Sequence, residues 1–258
     1  DIHGGGMDLK FPHHECEIAQ SIGADGTEPV RYWMHGNMLT VNGTKMSKSL
    51  GNSFLPMELI TGDHELLEQG YSPMTTRFFM LQANYRSTLD FSNDALKAAE
   101  KGYKRLMKTL RTLNALPYEV EGTLNEKLNT EIDSLCEQVY LELSDDFNTP
   151  KAIAVLFDLV NNINGFKDKH LKLSSISKVT FEKLVNTFNP IITDVLGLLD
   201  EADGKSNKLN DVMQLLMDMR EEARANKDWS LSDKIRDDLK EKGIVLNDGK
   251  GGSSFTIE

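Results

Sequence analysis

The chain has 258 residues, 39% hydrophobic and 27% charged, enough for more than one core and within the range of ordinary globular proteins. Its formal net charge of -11 argues against indiscriminate nucleic-acid binding, which needs a surplus of Lys and Arg, but leaves room for an RNA partner met by a local basic stripe. No run of about eighteen apolar residues occurs, so no membrane span or membrane partner is expected; Cys16 and Cys136 make no disulfide framework, and a reducing cytoplasm is the expected setting.

The chain opens on Asp1-Ile2-His3-Gly4-Gly5-Gly6-Met7-Asp8. Glycines let a ligand approach the backbone, and a following aspartate can take sugar hydroxyls; a flexible turn explains the same triplet equally well. A glycine triplet needs a strand before it, so a longer protein is expected. Phe11-Pro12-His13-His14-Glu15-Cys16-Glu17 follows, with Pro12 placed to open a helix. On such a helix His13 and Glu17 lie four apart, about 6 Å between Cβ atoms, close enough to share a metal, with Cys16 also in reach. At this spacing a His/Glu pair is more often a hydrogen-bonded surface pair, and four-coordinate zinc needs two further ligands.

The run from Trp33 to Val41 reads as a strand, and Asn42-Gly43 as the turn after it. Lys45-Met46-Ser47-Lys48-Ser49 then places two lysines three apart, with hydroxyls between them, on a loop closed by Gly51. Mobile cations at that spacing suit a triphosphate, because a departing pyrophosphate gains negative charge in the transition state. Met57 to Gly62 and Met74 to Leu81 read as short helices behind Pro56 and Pro73.

From Ser92 to about Leu199 the pattern is helical and predicts a bundle. Ser92-Asn93-Asp94 is an N-cap cluster for a helix with apolar positions Ala99, Tyr103, Leu106, Leu110 and Leu113. Its other face carries Lys97, Lys101, Lys104, Lys108 and Arg111, either a phosphate-contacting stripe or a solvated face. After a break at Pro117 to Gly122 come helices from about Leu124 to Leu143, Ala152 to Asn164 and Phe181 to Leu199, with Thr149 as cap and Pro150 as first residue of the second of these. Glu201 to Asn207 is a polar linker. Beyond it, helices at about 208–226 and 231–242 are expected, the latter starting at Ser230 with Asp233 three residues on and ending at Gly243. Ile244-Val245-Leu246 and Ser254-Phe255-Thr256-Ile257 predict a closing hairpin.

Taken together, these strings resemble one family. Residues 1 to 20, Tyr32-Trp33-Met34-His35 and Lys45 to Asn52 are similar to segments of cysteinyl-tRNA synthetases, class I enzymes. So are Tyr85-Arg86-Ser87, Asp145 to Pro150, and Lys227-Asp228-Trp229 through Leu246. The resemblance covers nearly the whole chain and corresponds to the C-terminal portion of the family. It implies a mainly α fold with a smaller α/β part. Residues 1–30 would end a Rossmann catalytic domain and carry the zinc-ligand segment, and 31–91 would hold the lysine loop. A helical bundle would follow over 92–200, and an anticodon-recognising α+β module over 201–258.

The implied activity is ATP-dependent formation of cysteinyl-adenylate and transfer to tRNA-Cys, with zinc choosing the cysteine thiolate over a hydroxyl. Carried over residue by residue, the resemblance makes Lys45 and Lys48 catalytic and places Lys48, Gly5, Gly6 and Asp8 at ATP. It makes His13 and Glu17 two of four Zn2+ ligands, and brings Arg224, Trp229, Asp233 and Asp248 to the tRNA anticodon. Cys16 stands where the family is expected to have asparagine. The other two zinc ligands and the His-Ile-Gly-His-type motif lie outside this chain, so the chain alone is expected to be inactive. Two other readings share parts of this pattern: a cysteine ligase acting on an amino sugar, and a non-catalytic RNA-binding module.

Overall fold

In a computed structural model the described residues are 1–118, 122–201, 215–220, 223–224, 228–249 and 252–257. The chain divides into two compact units, Asp1–Leu199 and Asp200–Glu258.

The first unit begins with strand β1 (Ile2–Gly6), a tight turn through Met7–Leu9, a wide turn over Lys10–His14, and helix α1 (Glu15–Asp25). Phe11 is extended (φ -132°, ψ 132°), as the residue before a proline usually is, and the kink there separates the preceding turn from the helical run that follows Pro12 and leads into α1. β2 (Tyr32–Gly36) returns parallel to β1, pairing His3 with Trp33 and Gly5 with His35. β3 (Leu39–Val41) and β4 (Thr44–Lys45) form a hairpin over Asn42 and Gly43, both at positive φ, and β3 also pairs in parallel with β5 (Leu89–Phe91). Between them lie α2 (Pro56–Thr61) and α3 (Pro73–Leu81), each with its proline in the first turn.

Four long helices follow: α4 (Asn93–Ala115), α5 (Glu126–Ser144), α6 (Thr149–Lys167) and α7 (Lys178–Pro190). The Ser92 side chain caps α4 by accepting from Ala95 N–H. Leu96, Ala99, Tyr103, Leu106, Leu110 and Leu113 are buried along one stripe of that helix, the 3.6-residue periodicity at work. α6 buries Ala152, Ile153, Val155, Leu156, Leu159, Val160, Ile163 and Phe166, an arc wide enough to pack on both α5 and α4. Its cap is Asn148, whose side chain accepts from Lys151 N–H, one residue before the expected Thr149; an amide caps as well as a hydroxyl, and the turn ahead of it, with Asp146 and Phe147 at positive φ, hands over the chain one residue sooner. α7 begins at Lys178 under a Ser177 cap, earlier than Phe181, and relaxes into a wide turn over Ile191–Val195 behind Pro190.

In the second unit residues 215–220 are helical, with Met217, Arg220 and Ala223 buried. α8 (Trp229–Glu241) is capped by the Asp228 carboxylate, which accepts from Leu231 N–H at 3.1 Å. It packs on β6 (Ile244–Gly249), which pairs antiparallel with β7 (Gly252–Ile257). Most of the expected linker and of the helix at 208–226 lies outside the described residues. No described helix is long and apolar enough to cross a membrane.

Candidate active site

The lysine loop is built on the β3–β4 hairpin. Asp90, on the neighbouring β5, accepts from both Thr40 Oγ1 (2.6 Å) and Gly43 N–H (2.8 Å), which ties the turn to the strand beside it. β4 ends at Lys45, opposite Thr40. Met46 N–H donates to the Leu39 carbonyl, and its side chain packs on the core at a cleft of about 350 Å³ lined by Leu39, Phe54, Leu59 and Met80. A short helical turn, Lys48–Leu50, is capped by Ser47 Oγ and closed by Gly51 at φ 68°. Lys45 and Lys48 are exposed, and among the described residues no carboxylate pairs with either ammonium. Two solvated cations on a braced stem are what a polyphosphate would need.

A second cluster lies on one face of the β1–β2 pair. His3, Trp33 and His35 share that face by register, and His14, only 4% exposed, reaches it from the wide turn before α1. His14 and His35 join through Nδ1 and Nε2 at 2.8 Å, and the Trp33 and His35 rings are parallel within 3°, 6.2 Å apart. Burial first, then the neighbouring His14, holds His35 below the ordinary histidine value of 6.5. His3 Nε2 lies 3.5 Å from Glu17 Oε2, and His3, His14 and Glu17 each present a ligand atom within 4.8 Å of the others. His13 is exposed and stands outside this group.

The glycine triplet has an internal reason as well. A Cβ on Gly5 would sit 2.6 Å from His14 Cε1, so the strand must be bare there for the histidine to approach. Asp8 is exposed and folds back on Gly6, where a Cβ would meet its Oδ1 at 2.3 Å. The indole N–H of Trp33 is buried without a partner among the described residues.

Two motifs far apart in sequence meet in space. Arg86 donates from Nε to Asp146 Oδ2 at 2.5 Å and from Nη2 to Oδ1 at 3.2 Å, and Tyr85 Oη donates to the same carboxylate at 2.7 Å. The Arg86 hydrogen bond foremost, then that of Tyr85, holds the Asp146 carboxyl below its ordinary 3.8. Asn37, just past β2, bonds to the carbonyls of Tyr85 and Arg86 at 2.9 and 2.8 Å, so the end of β2 and the start of α6 share one polar node.

The α4 stripe is partly neutralised. Lys97 pairs with Glu68, Lys104 with Glu100 at 2.6 Å, and Lys101 and Lys108 remain exposed. In the second unit Arg224 is exposed, Trp229 is 59% exposed, and Asp233 pairs with Arg236 at 3.1 Å. Asp248 lies on β6, and its side chain is outside the described residues.

Sequence reasoning missed His3 and His14, which needed the register of β1 with β2 and the approach of the segment before α1 to that face. It also missed Asp90 and Asn52, whose partners are mostly backbone groups and leave no residue-type signature.

Residues 1–101 match the family model for the class I (C) tRNA synthetase catalytic domain, and residues 138–200 match that for the DALR domain. Cysteine–tRNA ligase of Cytophaga hutchinsonii is 49% identical over 100% of this chain and 52% of its own length. The Chlorobaculum tepidum protein of the same name is 44% identical over 99% of the chain and 50% of its length. The chain thus spans about half the length of the curated relatives it matches. In fold, it superposes with TM-score 0.52 and 18% identity on the Agrobacterium radiobacter K84 LeuRS in a ternary LeuRS-tRNA-LeuAMS complex, covering 76% of this chain and 27% of that one. Along its whole length, with a match to the class I (C) catalytic domain, a lysine loop at 45–49 and a match to the DALR domain in order, the chain is similar to cysteine–tRNA ligases.

Proposed function

We propose that the full-length protein is a cytoplasmic cysteine–tRNA ligase, activating cysteine with ATP to cysteinyl-adenylate and passing the acyl group to tRNA-Cys. The observation that carries this is the braced loop with Lys45 and Lys48 exposed and, among the described residues, free of carboxylate partners, in a chain 49% identical to a cysteine–tRNA ligase. The carboxylate of cysteine attacks the α-phosphorus of ATP, forming the acyl–phosphate bond and releasing pyrophosphate. Lys45 and Lys48 stabilise the charge that grows on the leaving group. Gly5, Gly6 and Asp8 would face the adenosine. The relatives are about twice as long as this chain, so residues outside 1–258 are proposed to supply the other side of the site, and residues 1–258 alone to be inactive.

The cluster of His3, His14 and Glu17 offers two imidazole nitrogens and a carboxylate, a donor set that suits zinc in kind. In the tautomer in which His14 Nδ1 donates to His35 Nε2, the His14 Nε2 presents a lone pair, the usual way a ligating histidine is oriented from behind. The resemblance carries His13 and Glu17 instead, and Glu17 is common to both sets. When bound, zinc would supply a soft acceptor for the substrate thiolate. Metal content of Glu17→Gln, His13→Ala and His14→Ala proteins separates the two sets. In the second unit, Arg224, Trp229, Asp233 and Asp248 are proposed to meet the anticodon, exposed Trp229 by stacking on an unpaired base.

ATP–pyrophosphate exchange with cysteine on the full-length protein is the test. Cysteine-dependent exchange lost in Lys48→Ala supports the reading, and absence of exchange in the unaltered protein refutes it. Charging of tRNA-Cys, rather than capture of the adenylate by an amino sugar, fixes the acceptor. Turnover by residues 1–258 alone would sink the proposal that this part is inactive.

A further inference from the structure

Asn52 is 92% buried and polar, yet lies just beyond a loop whose other side chains are largely exposed. Its Oδ1 accepts from Ser47 N–H at 2.8 Å and its Nδ2 donates to the Lys45 carbonyl at 3.1 Å. The partners fix which end of the amide is which, since a backbone N–H only donates and a carbonyl only accepts. One planar group therefore bridges the residues on either side of Met46. That methionine is itself rooted in the apolar cleft with Leu39, Phe54 and Leu59. Downstream, the bonds that hold Lys48–Gly51 among the described residues lie within the loop: Leu50 N–H to Ser47 Oγ at 3.3 Å, Ser47 Oγ with Ser49 Oγ at 3.0 Å, and Gly51 N–H to the Lys48 carbonyl at 3.2 Å.

We propose that Asn52 is a positioning residue for the phosphate lysines. It clasps Lys45 to Ser47, fixes the direction in which Lys45 leaves β4, and sets the base of the turn that carries Lys48. This rests on the reading of the loop as an ATP-phosphate site. An amide is required because it combines a donor and an acceptor on opposite corners. An aspartate keeps the acceptor but sets a second oxygen against the Lys45 carbonyl, and an alanine removes both bonds. Neither change touches substrate, so the effect is transmitted through where the lysines stand.

The test is ATP–pyrophosphate exchange by the full-length protein carrying Asn52→Ala, Asn52→Asp, Lys48→Ala and the Asn52→Ala/Lys48→Ala pair. A misplacement of about 1 Å at a reacting centre costs roughly 100-fold, so Asn52→Ala is expected to lower kcat roughly 10- to 100-fold with the KM for cysteine unchanged. In the Lys48→Ala background the same change should cost less than about threefold, because the group it positions is already gone. A thermal melt establishes that each variant is folded, and Asn52→Asp, nearly isosteric, is read in place of Asn52→Ala if the latter is not. Losses that multiply independently, a folded Asn52→Ala protein exchanging at the unaltered rate, or an unimpaired Asn52→Asp protein would each overturn the assignment. Failure of the functional reading looks different: the unaltered protein then shows no cysteine-dependent exchange at all.

Discussion

Gly102 lies in the middle of α4, where an alanine should by propensity alone stabilise the helix by about 1 kcal/mol. The structure reverses the sign. A Cβ there would stand 2.9 Å from Phe78 Cε1, 3.5 Å from its Cζ and 3.8 Å from Phe157 Cζ. Carbon atoms in good contact sit about 3.5–4.0 Å apart, so the Phe78 ring must retreat by more than half an ångström. It has nowhere to go, being 0% exposed between α3 and α4. Overpacking of a filled core costs about 1–3 kcal/mol, which outweighs the propensity gain and leaves Gly102→Ala about 1 kcal/mol less stable. At about 2–4 °C per kcal/mol for a unit of this size, the melting temperature should fall by a few degrees. Gly165 in α6 is the control. A Cβ there meets Leu171 Cδ1 at 2.9 Å, its Cγ at 3.1 Å and its Cβ at 3.7 Å, but all three belong to one half-buried side chain that can rotate away. Gly165→Ala should therefore be neutral or stabilising by up to about 1 kcal/mol. Urea titrations followed by circular dichroism measure both, and Phe78→Leu should remove the penalty at Gly102. A Gly102→Ala protein more stable than the parent by about 1 kcal/mol would refute the packing argument.

Three further outcomes are expected. Because the Asp146 carboxyl is held below 3.8, its pairing stabilises the fold fully above that value and loses the contribution as pH falls through and below it; the urea midpoint gap between parent and Asp146→Asn should be present at pH 7 and close below about pH 4, and a gap constant to pH 3 would refute this. Burial pushes the Cys136 thiol up to about 11, so a thiol reagent at pH 8 should label exposed Cys16 alone and reach Cys136 only in denaturant. Removing the Asp90 carboxylate in Asp90→Ala should speed hydrogen exchange at the Gly43 amide, read by NMR, while leaving amides of α6 unchanged.

Much of the architecture was legible because it rests on periodicity. The apolar stripe of α4 from Leu96 to Leu113 and the near-continuous apolar arc of α6 announce one surface helix and one central helix of a bundle. Boundaries were less legible where two capping solutions compete, as with Asn148 against Thr149, or Asp228 against Ser230. The loop with its two lysines was readable from residue types alone. The histidine cluster was not: counting four residues along a helix selects His13 with Glu17, whereas the inward position of His14, against a strand cleared by Gly5, shows only once β1 and β2 are paired. Arg86 with Asp146 and Asp90 with Thr40 are sixty and fifty residues apart, and no local pattern links them.

That last separation bears on how the chain is made. During vectorial synthesis the hairpin of β3 and β4 can fold back on itself as soon as it emerges, but its parallel neighbour β5 and the Asp90 carboxylate follow only fifty residues later. Until Leu89–Phe91 has left the ribosome, the Asn42–Gly43 turn lacks its tether, and the loop that Asn52 clasps has no anchored hairpin to stand on. A nascent chain halted before that point would hold the motif in sequence without holding it in shape.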